Sequence, residues 1–208
     1  MTLRLHHLEN SRSHRLIWLM EELGFAYEVV RYARDPKTML APPALRRVHP
    51  LGKAPLLQDG DLTLAETGAI VEYLVERAGG RLGAPAERAA ALRYRHFLHY
   101  AEGSLMPVLL VMLVLRRVPL LGRAAVRRFR PMAAVHFDYV EAMLADRPWF
   151  AGADFTAADV MMSFPLEAAV RRAGLLHGRP HIADWLARIH ARPAYQAALE
   201  RGGAYAYA

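Results

Sequence analysis

Hydrophobic positions recur with two different periods along this chain, and the change of period divides it. Near the start, Leu3 and Leu5 alternate with Arg4, which predicts a short strand. Leu16, Leu19, Met20 and Leu23 then fall at i, i+3, i+4, i+7, the apolar stripe of a helix. Glu21 and Glu22 lie off that stripe, and Gly24 supplies a natural stop. Tyr27 to Tyr32 is rich in β-formers and predicts a second strand. Residues 33–52 hold Pro36, Pro42, Pro43 and Pro50 and read as loop around one short helix. Leu56-Leu57-Gln58, Asp59-Gly60 and Leu62-Thr63-Leu64 form a hairpin pattern, and Ile70, Val71 and Leu74 mark another helix. The order β-α-β, then β-β-α, predicts a parallel pair joined by a crossover, with an antiparallel edge.

After Gly79 the strand pattern disappears. Ala90, Tyr94, Phe97 and Ala101 share one helical face, as do Phe129, Ala133, Phe137, Val140 and Leu144, with a boundary or kink expected at Pro131. Ile182, Trp185, Leu186 and Ile189 repeat the i, i+3, i+4, i+7 spacing, and Pro193 suits the first turn of a last helix. The expected organisation is therefore an α/β domain over 1–79, a linker over 80–86 and an all-helical domain over 87–208. Phe155-Thr156-Ala157-Ala158-Asp159 reads as a capping box, Thr156 at the N-cap and Asp159 at N3, with Phe155 and Val160 at the staple positions. Its role is structural.

Composition narrows the chemistry. With 208 residues and 54% hydrophobic, the chain has enough apolar material for one or two ordered domains. The longest uninterrupted apolar run, Leu105 to Leu115 with Pro107 inside, falls short of the ~18–20 residues of a spanning helix. No membrane partner is expected, and the N-terminus lacks the apolar stretch of a secretory signal. The net charge is +7, concentrated near Arg116-Arg117 and Arg127-Arg128-Phe129-Arg130. Without clustered aromatic platforms this reads as a solvated face, not a nucleic-acid surface. His96 and His99 stand at i, i+3 but lack a third ligand at a convincing spacing, so no metal is expected. Cysteine is absent, which excludes disulfides, thiolate metal sites and a cysteine nucleophile. A thiol taking part in the chemistry must arrive with the substrate.

Three segments carry polar groups where chemistry needs them. Asn10-Ser11-Arg12-Ser13 precedes the first helix. These residues either cap it or hold a hydroxyl at its positive end, where an anion is stabilised. Ala54-Pro55 sits where a third strand begins, and Glu66-Thr67 opens the next helix. Together, residues 49–70, His-Pro-Leu-Gly-Lys-Ala-Pro-Leu-Leu-Gln-Asp-Gly-Asp-Leu-Thr-Leu-Ala-Glu-Thr-Gly-Ala-Ile, resemble the glutathione-binding core of cytosolic glutathione transferases. Asn10 to Arg15 resembles the active-site turn of their serine-type, bacterial-like members, and residues 155–159 resemble the folding motif of their helical domain. The resemblance covers nearly the whole chain.

The resemblance implies a thioredoxin-like glutathione-binding domain, followed by an all-α domain bearing a hydrophobic co-substrate pocket. Pro55 matches the family's cis proline, which would let the Ala54 backbone pair with the cysteinyl unit of glutathione. Thr67 would hold the γ-glutamyl carboxylate, Glu66 would sit near the γ-glutamyl ammonium, and Lys53 would meet the glycyl carboxylate. Ser11 is the catalytic candidate, its hydroxyl favouring the thiolate, with Asn10 and Ser13 as alternatives. Tyr100 and Met106 are pocket-lining candidates. The implied protein is a cytoplasmic, homodimeric detoxification enzyme with glutathione as co-substrate and no tightly bound cofactor. It transfers the thiolate to a small hydrophobic electrophile or reduces a peroxide. The alternative is a non-catalytic binding or regulatory protein on the same fold.

Overall fold

The structure, a computed structural model, describes residues 2–173 and 177–207, the side chains of 171–173 excepted. The chain divides into two units: residues 2–83 with 190–206, and residues 84–189 with Tyr207.

In the first unit four strands, β1 (Leu3–Leu8), β2 (Tyr27–Tyr32), β3 (Leu56–Asp59) and β4 (Leu62–Ala65), form one sheet in the order β2-β1-β3-β4. The β1–β2 pair is parallel, and the β1–β3 and β3–β4 pairs are antiparallel, as the hydrophobic pattern predicts. The hairpin loop is Gly60-Asp61, since Asp59 still pairs with Leu62. Gly60 takes the positive φ (59°) that a two-residue turn demands. Helix α1 (His14–Leu23) buries Leu16, Leu19, Met20 and Leu23 and ends at Gly24 in the left-handed conformation, with the Phe25 N–H returning to Met20 O at 3.0 Å. The loop after β2 contains one short helix, α2 (Ala44–Val48), and α3 (Thr67–Arg77) buries Ile70, Val71 and Leu74.

The second unit is helical among its described residues: α4 (Arg88–Tyr100), a π-turn (Ala101–Leu105), α5 (Met106–Arg116), α6 (Gly122–Leu144), α7 (Ala157–Ala173) and α8 (Pro180–His190). Pro131 lies inside α6, so of the boundary or kink expected there the boundary is ruled out. From Arg88 to Arg116 the chain is one helical stretch, long and apolar enough by length and composition alone to cross a membrane, its most apolar 18-residue window having mean hydropathy 1.7. The uninterrupted apolar run understated it, because averaging over a window tolerates polar residues such as Glu102 and Ser104.

One expectation about the domains is corrected. The last helix, α9 (Pro193–Gly202), lies in the first unit against α1, although 87–208 was expected to form a single helical domain. Tyr195 meets Trp18 edge-on with centroids 5.2 Å apart, and Tyr205 stacks on His14 at 4.0 Å. An apolar stripe announces a buried face but not its partner.

Half of the capping box is present, with a wider reach: the Asp159 carboxylate bonds back to Thr156, while the Asp159 N–H bonds the Thr156 carbonyl at 3.0 Å and not its hydroxyl. The Asp159 carboxylate accepts the Thr156 N–H at 2.9 Å and the Thr156 hydroxyl at 3.1 Å. It also accepts the Phe150 N–H at 3.0 Å and Trp185 Nε1–H at 3.1 Å. Complete burial pushes its carboxyl up to about 6 against the pull of these four donors. Val160 is fully buried, while Phe155 meets Trp149 edge-on at 5.1 Å.

Candidate active site

Strand register gathers the three polar segments at one end of the sheet. Leu56, the first residue of β3, pairs with His6 on one side and Ala65 on the other. The antiparallel directions then carry Pro55 backward, Glu66 forward out of β4 and Leu8 forward out of β1, all past the same edge. The Ala54–Pro55 peptide is cis.

The turn after β1 begins at Asn10, which has φ 50°, a conformation asparagine tolerates better than most residues. Its side-chain oxygen accepts the Ala206 N–H at 2.7 Å. Ser11 is 7% exposed. Its Oγ accepts the Ser13 N–H at 3.2 Å and lies 2.7 Å from Ser13 Oγ. Ser13 occupies the N-cap position of α1, but its side chain makes no capping bond. Instead it faces β1. It accepts the Leu8 N–H at 3.2 Å and contacts His7 Nδ1 at 2.8 Å.

Sequence reasoning missed His7, whose place in a His6-His7 pair looked like ordinary strand alternation. The two rings leave opposite faces of β1. His6 contacts the Tyr32 hydroxyl at 2.8 Å and Gln58 Oε1 at 2.9 Å, whereas His7 faces the Ser13 side. Burial first, then the Arg31 guanidinium, pushes His7 down to about 4, so the ring is neutral near pH 7. The backbone of Gly202 bonds its other side. With that nitrogen donating to the Gly202 carbonyl, Nδ1 is left as an acceptor for the Ser13 hydroxyl. The proton of Ser13 is directed inward, to His7 Nδ1 at 2.8 Å with the Leu8 carbonyl at 3.3 Å as its second acceptor. The 2.7 Å bond between the two hydroxyls then runs from Ser11 to Ser13, so the Ser11 proton rests on Ser13 Oγ and reaches a ligand only by rotation of the Ser11 hydroxyl away from it. The three candidates differ in what engages them: Asn10 anchors the C-terminal segment, Ser13 braces the turn against β1, and Ser11 bonds Ser13 within the turn.

Across the same end of the sheet, Glu66 is exposed and sits at φ 70°, ψ 121°, outside the regions ordinary side chains prefer. Such a conformation costs about 1–3 kcal/mol and persists where the surroundings enforce it. It orients the first turn of α3, where Thr67 is 4% exposed. Neither α1 nor α3 has an acidic residue in its first turn or a side-chain bond at its cap. Two helix starts therefore carry partial positive charge that no carboxylate of their own first turn offsets. Lys53 is exposed, two residues before Pro55.

In the second unit, Leu92, Arg95, His96, His99, Tyr100, Gly103 and Ser104 line an open cavity of about 460 Å³. The Tyr100 hydroxyl contacts His136 Nδ1 at 2.6 Å, and burial first, then Tyr139, pushes it up to about 12. The phenol is therefore a neutral group near pH 7. Met106 is buried and does not line this cavity. Among the described residues no group of three or more His, Asp or Glu could hold a metal.

The comparisons agree with the geometry. Residues 1–76 match the family described as "Glutathione S-transferase, N-terminal domain", and residues 123–188 match "Glutathione S-transferase, C-terminal domain". The chain is 37% identical to glutathione S-transferase 3 of Schizosaccharomyces pombe, covering 95% of this chain and 86% of that one. It is 32% identical to glutathione S-transferase 1 of Saccharomyces cerevisiae, covering 97% and 96%. The crystal structure of a glutathione S-transferase from Actinobacillus pleuropneumoniae is similar with a TM-score of 0.90 at 35% identity, covering 99% and 95%. With the cis proline, the strained residue before α3 and the hydroxyl turn before α1 at one end of a thioredoxin-like sheet, the chain belongs to the glutathione S-transferase family.

Proposed function

We propose that this chain is a glutathione transferase in which the Ser11 hydroxyl stabilises the glutathione thiolate. The observation that carries this reading is the place of the Ser11 hydroxyl in the turn that opens α1, a helix start without an acidic first turn, where rotation away from Ser13 Oγ turns its proton to a ligand. A free thiol has a pKa of about 8.5, so little thiolate exists at neutral pH. A hydroxyl donor and a helix N-terminus each favour the anion over the thiol. The thiol proton leaves to solvent. The sulfur lone pair then forms a bond to an electrophilic carbon as the leaving group departs with its electron pair. No covalent intermediate on the protein is required.

The tripeptide lies along the end of the sheet, its cysteinyl unit against the Ala54 backbone beside Pro55. Its γ-glutamyl carboxylate sits at Thr67 and its γ-glutamyl ammonium near Glu66, while Lys53 meets the glycyl carboxylate. Burial of Thr67 beside an α3 start without an acidic first turn supports the carboxylate position. The Tyr100 cavity takes the small hydrophobic electrophile, a detoxification role carried out in the cytoplasm. The functional form is a homodimer, a reading supported by the exposed apolar Leu51 and Leu62 of the first unit.

Titration calorimetry with glutathione should give a saturable binding heat in wild type and in Ser11→Ala. Turnover of an aryl halide should fall about 100-fold in Ser11→Ala, the usual cost of deleting one donor to a developing or stabilised anion. The pH at which thiolate absorbance appears should rise. Wild-type turnover in that variant would reassign the role to Asn10, and no binding heat in wild type would overturn the function.

A further inference from the structure

The connection between α5 and α6 is built unlike the rest of the surface. Leu120 is 101% exposed and Leu121 71%, the largest exposures among the apolar side chains described as exposed. Leu120 also has φ 61°, a left-handed conformation that an unconstrained leucine avoids. Val118 beside them, and Leu110, Val111 and Val114 along α5, are exposed as well. Only 33% of the most apolar window between Arg88 and Arg116 is buried. Burial of the hydrophobic core does not account for these residues.

Charge runs with the apolar surface. Between Glu102 and Asp138 the sequence has no acidic residue, while Arg116, Arg117, Arg123, Arg127, Arg128 and Arg130 all fall in that interval. Arg116 and Arg123, with Val118, Leu120 and Gly122, line a cavity of about 340 Å³ at the tip. Two guanidiniums at an open cavity suit an oxyanion, since each presents a planar fork of donors. Two projecting leucines suit hydrocarbon.

We propose that the α5–α6 tip is a peripheral docking surface for an anionic lipid bilayer. Leu120 and Leu121 enter the headgroup–acyl boundary, and the arginines pair with lipid phosphates and carboxylates. An exposed apolar tip with Arg116 and Arg123 beside it matches the layering of such a surface, apolar inside and anionic outside. A nucleic acid would use the arginines and leave the leucines in water. A second copy of the chain would bring the same cationic patch against itself, and like charges across an interface repel. Binding is expected to be reversible, since two leucines and a few arginines are far from a spanning segment.

The test is sedimentation of the full chain with vesicles. The protein should pellet with vesicles of equal parts phosphatidylcholine and phosphatidylglycerol, at least tenfold less with phosphatidylcholine alone, and less as salt rises. The double variant Leu120→Asp/Leu121→Asp should lose pelleting by about tenfold or more while conjugating glutathione at the wild-type rate. Arg123→Ala should weaken it about fivefold. No pelleting with the mixed vesicles would overturn the proposal, as would equal pelleting with phosphatidylcholine alone. Binding of a DNA oligonucleotide that persists in the leucine variant without vesicle binding would also overturn it. So would a change of assembly mass in that variant.

Discussion

Helix α1 and helix α7 both begin with a hydroxyl residue in a buried turn, yet they treat the positive end of the helix in opposite ways. At α7 the chain supplies its own anion, since Asp159 accepts four donors and is completely buried. At α4, in the same unit, Glu87 accepts the N–H groups of Ala89 and Ala90 at 2.6 and 2.7 Å. At α1 and α3 no such carboxylate is provided. Ser13 stands where a cap would be and turns its hydroxyl away toward β1. A chain that supplies its own anion at one helix start obtains stability, and one that withholds it keeps a place for an anion from outside.

The sharpest way to break this contrast is Asp159→Asn. An amide cannot accept at both ends, so two of four buried donors lose their partner. Unfolding in urea should show a loss of about 3 kcal/mol or more. Ser11→Ala should leave the same midpoint almost unchanged, because the role proposed for it is exercised on a ligand. Equal stability losses at the two sites would erase the distinction.

Acid should separate the two turns next. His7 is held near 4 in the folded protein against about 6.5 when unfolded, so between those values the unfolded chain binds more protons and stability falls as pH falls. Asp159 is raised to about 6 from 3.8, so over its window the folded chain binds more protons and the contribution to stability grows as pH falls. The two effects oppose each other in the wild type. Comparing His7→Gln with wild type in urea isolates the first. The stability advantage of wild type should shrink by about 1–2 kcal/mol between pH 7 and pH 5. A constant difference would mean that the ring is not held neutral. The smallest effect belongs to Thr156→Ala. It removes one hydroxyl from the Asp159 network and should lower stability by about 1 kcal/mol, and an unshifted midpoint would count against the capping box.

What could be read from residues alone follows the reach of each interaction. Alternation at Leu3–Leu5, the α1 stripe and the Asp59-Gly60 signal are local, so the parallel pair, its crossover and the antiparallel hairpin were legible. Pro55, Glu66 and Thr67 were legible because the spacing pattern that contains them resembles one family. His7 was not, because its significance depends on Ser13 across a turn and Gly202 at the far end of the chain. The place of α9 escaped for the same reason, since periodicity states which face is buried and not against what. Of the boundary or kink read at Pro131 the boundary is overturned, because a long helix can absorb one missing donor when its apolar side stays packed: Ala133 and Phe137 remain buried beyond it. Asp159 was placed correctly as N3, but nothing nearby in sequence announced Trp185 as a donor to it.

The anchoring of Asn10 by Ala206 and of His7 by Gly202 has a consequence for how the reactive corner comes into being. The candidate residues of that corner all emerge from the ribosome among the first 67, while the two contacts that fasten it arrive more than a hundred residues later. A nascent chain paused midway through translation carries the reagents without their clamp, and the corner closes only when the tail swings back.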